Sequence, residues 1–336
     1  MNKSTDFHHF IGIDVSKKTL DISVFEGKNF LYHTQIENSV GSFKKFVLSL
    51  KKQKASIENC LFCAENTGVY NENIKSITQE LGLWLWIEKP LQIIKSQGVV
   101  RGKNDKIDSF RIALYACKNQ EEAQKWESPR KVLVTIKRLL TLRRNLLSNL
   151  KQLKLVLCEK AFLTQDIDLL SACCQGSIDA LKKDIKAIER EILCFIKSDP
   201  QLDQKYQLIT SIGGVGMFTA IEVIIATNEF KDFDNAKKFA CYCGVVPFEY
   251  SSGTSVNKRK RVSSMANKTL KTLLHMAALS VVKMKGELQD YFSRKVSQGK
   301  NKMLVINAIR NKLILRIFAV VKKEQAYQKD FSFSFG

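Results

Sequence analysis

The stretch FIGIDVSKKTLDISVFE, residues 10–26, decides the fold class, because two β-rich segments in it are separated only by KKT. NFLYHTQIE (29–37) continues the pattern, so three successive strands joined by tight turns are predicted. Helical and β-rich runs then alternate: a helix in GSFKKFVLSLKK, a strand in NCLFCAE (59–65), a helix near 70–81, a strand in LWLWIE (83–88) and a helix holding Asp105 and Asp108. This order predicts a mixed sheet with helices on its faces.

The charge balance points to a polyanionic partner. The chain has 54 lysine and arginine residues against 33 aspartate and glutamate residues, a formal net charge of +21. Such an excess repels itself unless a polyanion compensates it, so nucleic acid is the first partner to expect. A membrane surface is the competing polyanion, but no window approaches the roughly 18 apolar residues of a spanning helix, and MNKSTDFHHF is not a signal peptide. We therefore expect no membrane partner.

The middle of the chain has helical periodicity. Apolar residues recur every three or four positions in two runs, and the second run has a clean 3-4-3-4-3 spacing. The runs are Leu139, Leu142, Leu146, Leu150, Leu153 and Leu157, and then Ile178, Leu181, Ile185, Ile188, Ile192 and Phe195. This spacing predicts an antiparallel helical hairpin or an oligomerising coiled coil, and an amphipathic pair packed on its own domain is the alternative.

A third, mostly helical region begins after Pro200. LITSIGGVGMFTAIEVI resembles a helix-hairpin-helix, whose glycine-rich turn (with Gly214 and Gly216) offers backbone N–H groups to a phosphate. Helices are predicted at 235–242, 267–285 and 303–322. The segment FEYSSGTSVNKRKRVSSMANK, residues 248–268, is predicted to be a polar loop with a basic run.

Nine cysteines could indicate disulfides or zinc. Cys60 and Cys63 have CxxC spacing, but they lie in a predicted buried strand, and no second pair or HxxxH follows. Reduced, buried thiols in a cytoplasmic protein are therefore predicted.

Four carboxylates stand where metal ligands can meet. Asp14 ends a strand in IGIDVS, and Glu65 ends another in CAENTGVY. Asp105 and Asp108 are three residues apart in KNDKIDSFRIALYA, so one helix face presents both. Hard cations prefer oxygen ligands, and this quartet is what a pair of Mg²⁺ ions needs. Spacing alone leaves a solvated surface role open for each of them.

These segments, together with ITSIGGVG, FACYCGVVPFEYSSGTSV and KRVSSMANKTLKTLLHMAAL, closely resemble the DEDD transposases of insertion-sequence family one-ten, relatives of the Piv and MooV invertases. The resemblance covers nearly the whole chain in the same order. It implies an α/β RNase H-like (RuvC-like) domain over 1–128, a coiled-coil helical insertion over 129–200 and a mostly α transposase domain over 201–336. By motif match, the catalytic Mg²⁺ ligands are Asp14, Glu65, Asp105 and Asp108.

The resemblance also makes Ser252, directly before Gly253, the nucleophile of a covalent DNA intermediate. Ser251 and Tyr250 are the competing assignments, and without the family a serine in SSGTS is an ordinary loop residue. The basic run that follows is expected to hold nucleic-acid phosphates, and it consists of Lys258, Arg259, Lys260 and Arg261.

The family further implies donor and target DNA, a structured non-coding guide RNA (a bridge RNA) and a homodimer or homotetramer in the bacterial cytoplasm, associated with the nucleoid. Three alternatives stay open. A RuvC-like nuclease or junction resolvase needs the carboxylates but no covalent serine. A sugar-kinase or actin-like ATPase needs a second Asp-Gly phosphate loop, which the sequence lacks. A non-catalytic nucleic-acid-binding protein has no need of the four carboxylates.

Overall fold

The computed structural model describes residues 7–52, 57–96, 104–158, 167–252, 256–262 and 266–328. The chain forms two compact units, Met1–Ser128 and Pro129–Gly336. The further division of the second unit at residue 200 stays a prediction. Within the described ranges, no helix is long and apolar enough to span a bilayer.

The first unit is built on a five-stranded mixed sheet. Its strands are β1 (His9–Val15), β2 (Thr19–Glu26), β3 (Asn29–Glu37), β4 (Cys60–Glu65) and β5 (Trp84–Glu88). They lie in the order β3-β2-β1-β4-β5, with β2 antiparallel to both neighbours and β4 parallel to β1 and β5. The mixed sheet is thus confirmed, and its order and directions are those of an RNase H-like fold.

Helices cover both faces of this sheet because its strands alternate two sets of apolar side chains. The helices are α1 (Val40–Lys52), α2 (Glu72–Glu80), α3 (Pro90–Lys95) and α4 (Asp105–Lys118). Ile11 and Ile13 of β1 and Phe62 of β4 belong to the core that α1 and α2 cover. Leu61 and Cys63 of β4 face the opposite way and pack with Ala113 of α4. Every second residue of β1 and β4, counted from Gly12 and from Cys63, therefore faces α4.

The second unit is mostly helical. Its helices are α5 (Lys131–Cys158), α6 (Ile167–Lys197), α7 (Pro200–Thr210), α8 (Met217–Ala226), α9 (Ala236–Tyr242), α10 (Lys268–Lys283), α11 (Glu287–Ser297) and α12 (Lys302–Lys323). One apolar core joins α7 to α12 with Leu133, Ile136 and Leu140 of α5 and Ile192 and Ile196 of α6.

Helices α5 and α6 form an antiparallel pair. Arg143 of α5 pairs with Glu189 of α6 at 2.7 Å, and Arg130, just before α5, pairs with Asp199 beyond the end of α6 at 2.9 Å. Ile178, Ile185 and Ile192 are buried at seven-residue intervals, so this seam is used within one chain. The first seam is only partly covered, because Leu142 is 47% exposed. The structure shows an antiparallel pair whose ends nearest α7 pack in the core of their own unit, as the alternative expected, and an oligomerising coiled coil stays a prediction.

The prediction of a polar loop over 248–268 was wrong. Residues Pro247–Ser252 form β6 and Val256–Val262 form β7, which pair as an antiparallel hairpin. Phe248 and Tyr250 alternate with polar residues in β6, Val256 and Val262 begin and end β7, and aromatic and β-branched residues favour strands. The high density of serine and charge hid this pattern.

Candidate active site

A row of four carboxylates crosses the sheet of the first unit, one on each of four neighbouring strands. Asp14 of β1 pairs directly with Asp21 of β2, and Glu65 of β4 pairs with Glu88 of β5. Ile13 pairs with Ala64, so Asp14 and Glu65 continue β1 and β4 at the same level. All four carboxylate residues lie on the face of the sheet that α4 covers. Asp14 and Glu65 therefore lie side by side, as their positions at strand ends predict.

Helix α4 lies against this face because Gly12 has no side chain. A β-carbon at Gly12 would lie 2.2 Å from the Ser109 carbonyl oxygen and 2.2 Å from the Ala113 amide nitrogen. The hydroxyls of Ser109 and Ser23 are hydrogen-bonded to each other at 2.9 Å in the buried interface. Small residues on both sides thus let the helix backbone approach the sheet. At the far end of α4, the Cys117 thiol contacts the Gly27 carbonyl, so the beginning of α4 lies at the Asp14 end of β1.

The beginning of α4 carries the other two predicted ligands. Asn104 caps the helix by accepting a hydrogen bond from the Lys106 amide at 3.0 Å. Asp105 and Asp108 occupy the first turn, where the helix dipole favours negative charge. Asp105 is exposed, whereas Asp108 pairs with Arg111 at 2.8 Å. The cap and the dipole would stabilise these aspartates even in a helix with no catalytic role.

The charges of the other three predicted ligands act on Asp14. The pKa of Asp14 is raised from 3.8 to about 6, first by burial and then by the negative charges of Asp105, Asp108, Glu65 and Asp21. A carboxylate surrounded by like charge loses part of its preference for the ionised form. The structure thus brings Asp14 near the three other residues of the predicted quartet.

A buried asparagine shapes the loop that follows Glu65. The Asn71 amide donates a hydrogen bond to the Glu65 carbonyl at 2.9 Å. Its oxygen accepts hydrogen bonds from the Thr67 amide at 2.8 Å and the Thr67 hydroxyl at 2.6 Å. Nearby, the Asn38 amide links the Ser16 and Tyr70 carbonyls at 2.8 and 3.1 Å, which ties the turn after β1 to this loop.

Asp21 is a further site residue that the sequence did not single out. It is 4% exposed and lies directly beside Asp14. His33 and Gln35 of β3 hold its carboxylate, through Nε2 atoms at 3.0 and 2.9 Å. An aspartate between Leu20 and Ile22 in the predicted strand LDISVFE is the signal that could have found it. Asn71 had no comparable signal, because its role depends on the loop conformation.

The donor set suits a hard divalent cation, although its side chains are not drawn together. Among the described residues, no group of three His, Cys, Asp or Glu is arranged to hold a metal ion. Carboxylate oxygens are the ligands that Mg²⁺ prefers, and a cation would relieve the repulsion around Asp14. We conclude that the quartet fits Mg²⁺ by chemistry and position and that Asp108 would have to turn from Arg111 to take part.

The CxxC pair has the properties of buried thiols. Cys60 and Cys63 are fully buried in β4. Burial raises the pKa of the Cys60 thiol to about 11 and also raises that of Cys63, so both are protonated at neutral pH. Protonated thiols are poor metal ligands.

The predicted nucleophile lies on a separate element of the second unit. Ser252 is the last residue of β6, and its backbone pairs with Val256 of β7, whereas Pro247 and Val262 form the first pair. Ser252 is therefore at the tip of the hairpin. The basic run (Lys258, Arg259, Lys260 and Arg261) lies along β7. The side chains of Ser252 and the basic run, and all of Gly253, lie outside the described part of the structure.

The glycine-rich turn connects α7 to α8. Gly214 has a φ of +82°, and a β-carbon there would lie 2.2 Å from the Val281 side chain of α10. Packing alone therefore requires glycine at this position. Gly216 caps the beginning of α8, with no atom within 4 Å of an added β-carbon. Nucleic-acid binding by this turn stays a prediction.

Comparison with known proteins identifies the family. The DEDD transposase model of IS110 matches residues 11–164, and a model described as Transposase IS116/IS110/IS902 family matches residues 206–293. The pilin gene-inverting protein of Moraxella bovis is 25% identical over 325 residues, which cover 95% of this chain and 98% of that protein. The chain belongs to the IS110 family of DEDD transposases and recombinases. This IS110 transposase is therefore an enzyme that acts on DNA.

Two further similarities are more limited. The insertion element IS110 uncharacterized 43.6 kDa protein of Streptomyces coelicolor is 23% identical over 165 residues, 49% of this chain and 40% of that protein. A solved RuvC structure of Thermus thermophilus matches 35% of the IS110 transposase and 98% of its own chain, with 16% identity and a TM-score of 0.26. That score is too low to support any inference about the site.

Proposed function

We propose that this IS110 transposase cuts and rejoins DNA through a covalent bond to Ser252, with Mg²⁺ held by the DEDD carboxylates and with sites selected by a guide RNA. One observation carries the metal-dependent part. Asp14, Glu65 and the Asp105/Asp108 pair are separated by up to 94 positions in the sequence, yet their charges converge on one end of the sheet. Chance surface carboxylates would not be expected to share a half-buried edge that raises the pKa of one of them.

The chain's own residues position this site. Asp14 and Glu65 are fixed by neighbouring parallel strands, whereas Asp105 and Asp108 are brought over them by α4. Asn71 holds the backbone just beyond Glu65 through three hydrogen bonds. When bound, Mg²⁺ would supply charge neutralisation and Lewis acidity at phosphodiester oxygens.

In the proposed covalent step, Ser252 Oγ bonds to the phosphorus of a DNA phosphodiester while the bond from that phosphorus to one deoxyribose oxygen breaks. The serine hydroxyl loses its proton and the leaving oxygen gains one, so one phosphodiester replaces another. Attack by a hydroxyl of the exchanged strand then releases Ser252. The bond energy is conserved, so rejoining needs no external energy source.

The relatives favour strand exchange over simple hydrolysis. The pilin gene-inverting proteins of Moraxella bovis and Moraxella lacunata align over 98% of their lengths. Inverting a DNA segment requires every broken end to be rejoined. A covalent intermediate provides for this, whereas a nuclease that uses water would release free ends.

Guidance by RNA rests on the family resemblance and on the charge. A net charge of +21 favours nucleic-acid partners and is compatible with RNA as well as DNA. Among the described helices and strands we recognise no separate base-reading module. We propose a homodimer or homotetramer in which carboxylates and Ser252 from different subunits serve the same DNA.

Trapping the intermediate tests the mechanism. The purified protein with co-purified RNA, Mg²⁺ and labelled DNA carrying the element's own ends should give a slower protein–DNA band on a denaturing gel. Peptide mapping should place the adduct on Ser252. Ser252→Ala should lose both adduct and recombination yet still bind DNA, whereas Ser251→Ala is the matched control and should keep both.

Each alternative has a distinct outcome in this experiment. An adduct on Tyr250 would replace the serine mechanism with a tyrosine mechanism. If Ser252→Ala cleaves DNA and releases free ends, the metal-dependent nuclease is the better description. Normal site-specific recombination after RNA depletion would exclude guidance by RNA without affecting the serine assignment.

A further inference from the structure

Arg310 of α12 is a buried cation without a balancing carboxylate in the described part of the chain. The residue is 6% exposed. Its Nη2 donates a hydrogen bond to His275 Nδ1 of α10 at 2.6 Å, and its Nε is buried without a hydrogen-bond partner. Burial lowers the pKa of Arg310, and no acidic residue contributes to the shift. A buried guanidinium that makes one hydrogen bond to a neutral side chain is costly, because its charge is neither solvated nor paired.

Helices α10 and α12 pack through apolar core residues, and His275 of α10 is a polar neighbour of Arg310 among them. Lys271 lies one helical turn before His275 on α10. Because His275 Nδ1 accepts from Arg310, its proton resides on Nε2, which can donate to another group. Burial and the charge of Arg310 both lower the pKa of His275, which keeps this ring neutral. Arg310 contacts His275 directly, and Lys271 lies one turn nearer the beginning of α10, so the three donors follow one another along α10 and its contact with α12.

This cluster lies beside the root of the β6–β7 hairpin. The Lys271 side chain lies 3.7 Å from the position of a β-carbon on Gly244. Asn307, one turn before Arg310, donates a hydrogen bond to the Val245 carbonyl at 2.6 Å. Two residues after Val245 the hairpin begins at Pro247.

We propose that Lys271, His275 and Arg310 form a seat for one phosphate of the DNA strand on which the hairpin acts. A phosphate has the charge that would compensate Arg310 and the oxygens that would accept from the three donors. This inference rests on the proposed function in taking the hairpin as the DNA-cutting element. The cost of holding Arg310 without a carboxylate is explained if DNA supplies the anion.

The seat lies at the base of the hairpin, away from its tip. Five residue steps separate Pro247 from Ser252, and at about 3.4 Å each they span about 17 Å. The bound phosphate is therefore not the one that is cleaved, and the seat contributes to binding rather than to the chemical step.

The test measures binding without chemistry. RNA-depleted full chain carrying Ser252→Ala is titrated with a labelled 30-base-pair duplex of random sequence at several salt concentrations. Lys271→Met and Arg310→Met should each lower the slope of log K against log salt by about 0.9, which is about eightfold in affinity at 0.1 M salt. In the double variant the slope should also fall by about 0.9 in total, because both cations bind the same phosphate. Lys283→Met, which removes an equal charge from the end of α10, should leave the slope unchanged.

Thermal unfolding without DNA separates this role from a structural one. Arg310→Met should unfold at the same or a higher temperature, because it removes an uncompensated buried charge. If Arg310→Met unfolds at a lower temperature, the salt dependence of DNA binding by Lys271→Met decides between a phosphate seat and a purely structural role. Any of three results would disprove the phosphate seat. The salt slope of Lys271→Met could be unchanged, the slope of the double variant could fall by about 1.8, or the slope of Lys283→Met could fall as much as that of Lys271→Met. Because Ser252 is absent throughout, these outcomes are independent of whether it is the nucleophile.

Discussion

Gly12 and Ala113 are in closer contact than any side chain would permit, since a β-carbon on Gly12 would lie 2.2 Å from the Ala113 amide nitrogen. This contact fixes α4 on β1 and so fixes Asp105 and Asp108 relative to Asp14. The position of the predicted metal ligands thus depends on a residue that has no side chain.

Gly12→Ala should therefore damage both stability and activity. The added methyl meets helix backbone, which cannot rotate away, and overpacking of this kind costs about 1–3 kcal/mol. Gly41→Ala in α1 is the matched control, because nothing lies within 4 Å of its added β-carbon, and it should be neutral or slightly stabilising. Urea unfolding of the two variants checks this. Equal stability of both would contradict the tight docking of α4.

Each ligand of the quartet should be essential for strand exchange. Asp14→Asn, Glu65→Gln, Asp105→Asn and Asp108→Asn each remove one charged ligand, so recombination should be abolished while circular dichroism stays unchanged. Glu26→Gln, at the opposite end of β2 and exposed, should recombine normally. Full activity in any two of the four variants, with Mg²⁺ present, would disprove the quartet.

Asn71→Ala should weaken activity through Glu65 without removing a ligand. Three hydrogen bonds are lost, while the Thr67 amide and the Glu65 carbonyl keep the bond of 3.0 Å to each other, so stability should fall by about 1–3 kcal/mol. Asn73→Ala removes a neighbouring amide that bonds to Asn38 and is the matched control. The Mg²⁺ concentration needed for half-maximal activity should rise in Asn71→Ala alone. An unchanged Mg²⁺ requirement would show that Asn71 does not position the ligand.

The sequence predicts this fold well where one physical signal dominates. Alternating β-rich runs in IGIDVS and NCLFCAE give β1 and β4 to within one residue, and the seven-residue spacing of Ile178, Ile185 and Ile192 gives the packed face of α6. Strand ends also place Asp14 and Glu65 correctly, because parallel neighbours end at the same edge of a sheet.

Features that depend on tertiary contact could not be read from the sequence. The importance of Asn71 depends on the loop conformation that it stabilises, and that of Arg310 on the packing of α10 against α12. The β6–β7 hairpin was missed because serine and basic residues usually indicate a loop, and pairing between two strands overrode that local preference.

Oligomerisation through the helical hairpin can be tested at Leu155. Its side chain is 58% exposed on α5, whereas Ile185 is 7% exposed and lies inside the hairpin of one chain. Leu155→Glu should therefore reduce the assembly to smaller species without lowering the unfolding temperature, and Ile185→Glu should lower that temperature. Asn149→Glu adds the same charge at an exposed polar position and should change neither property. Light scattering after gel filtration checks this, and an unchanged mass for Leu155→Glu would exclude this face.

The raised pKa of Asp14 predicts a specific pH dependence of stability. Because its folded pKa is about 6 and its ordinary value is 3.8, the folded state binds more protons than the unfolded state between these values. Stability should therefore fall as pH rises from 4 through 6 and stay lower above it. The full shift corresponds to about 3 kcal/mol, and solvent screening of this half-exposed group reduces the effect to about 1 kcal/mol.

Asp14→Asn should remove this pH dependence and should be the more stable protein at pH 8 without divalent ions, because it lacks the repelled charge. Mg²⁺ should then stabilise the unmutated protein at pH 8, where Asp14 is ionised, and much less at pH 4.5, where Asp14 holds a proton. Mg²⁺ should stabilise the Asp14→Asn variant only slightly at either pH. Glu26→Gln serves as the control for a carboxylate outside the site. Urea unfolding at both pH values, with Mg²⁺ or with a chelator, makes the comparison. If Mg²⁺ stabilises Asp14→Asn as much as the unmutated protein, then the ion binds elsewhere, and the carboxylates at the end of β1 have another role.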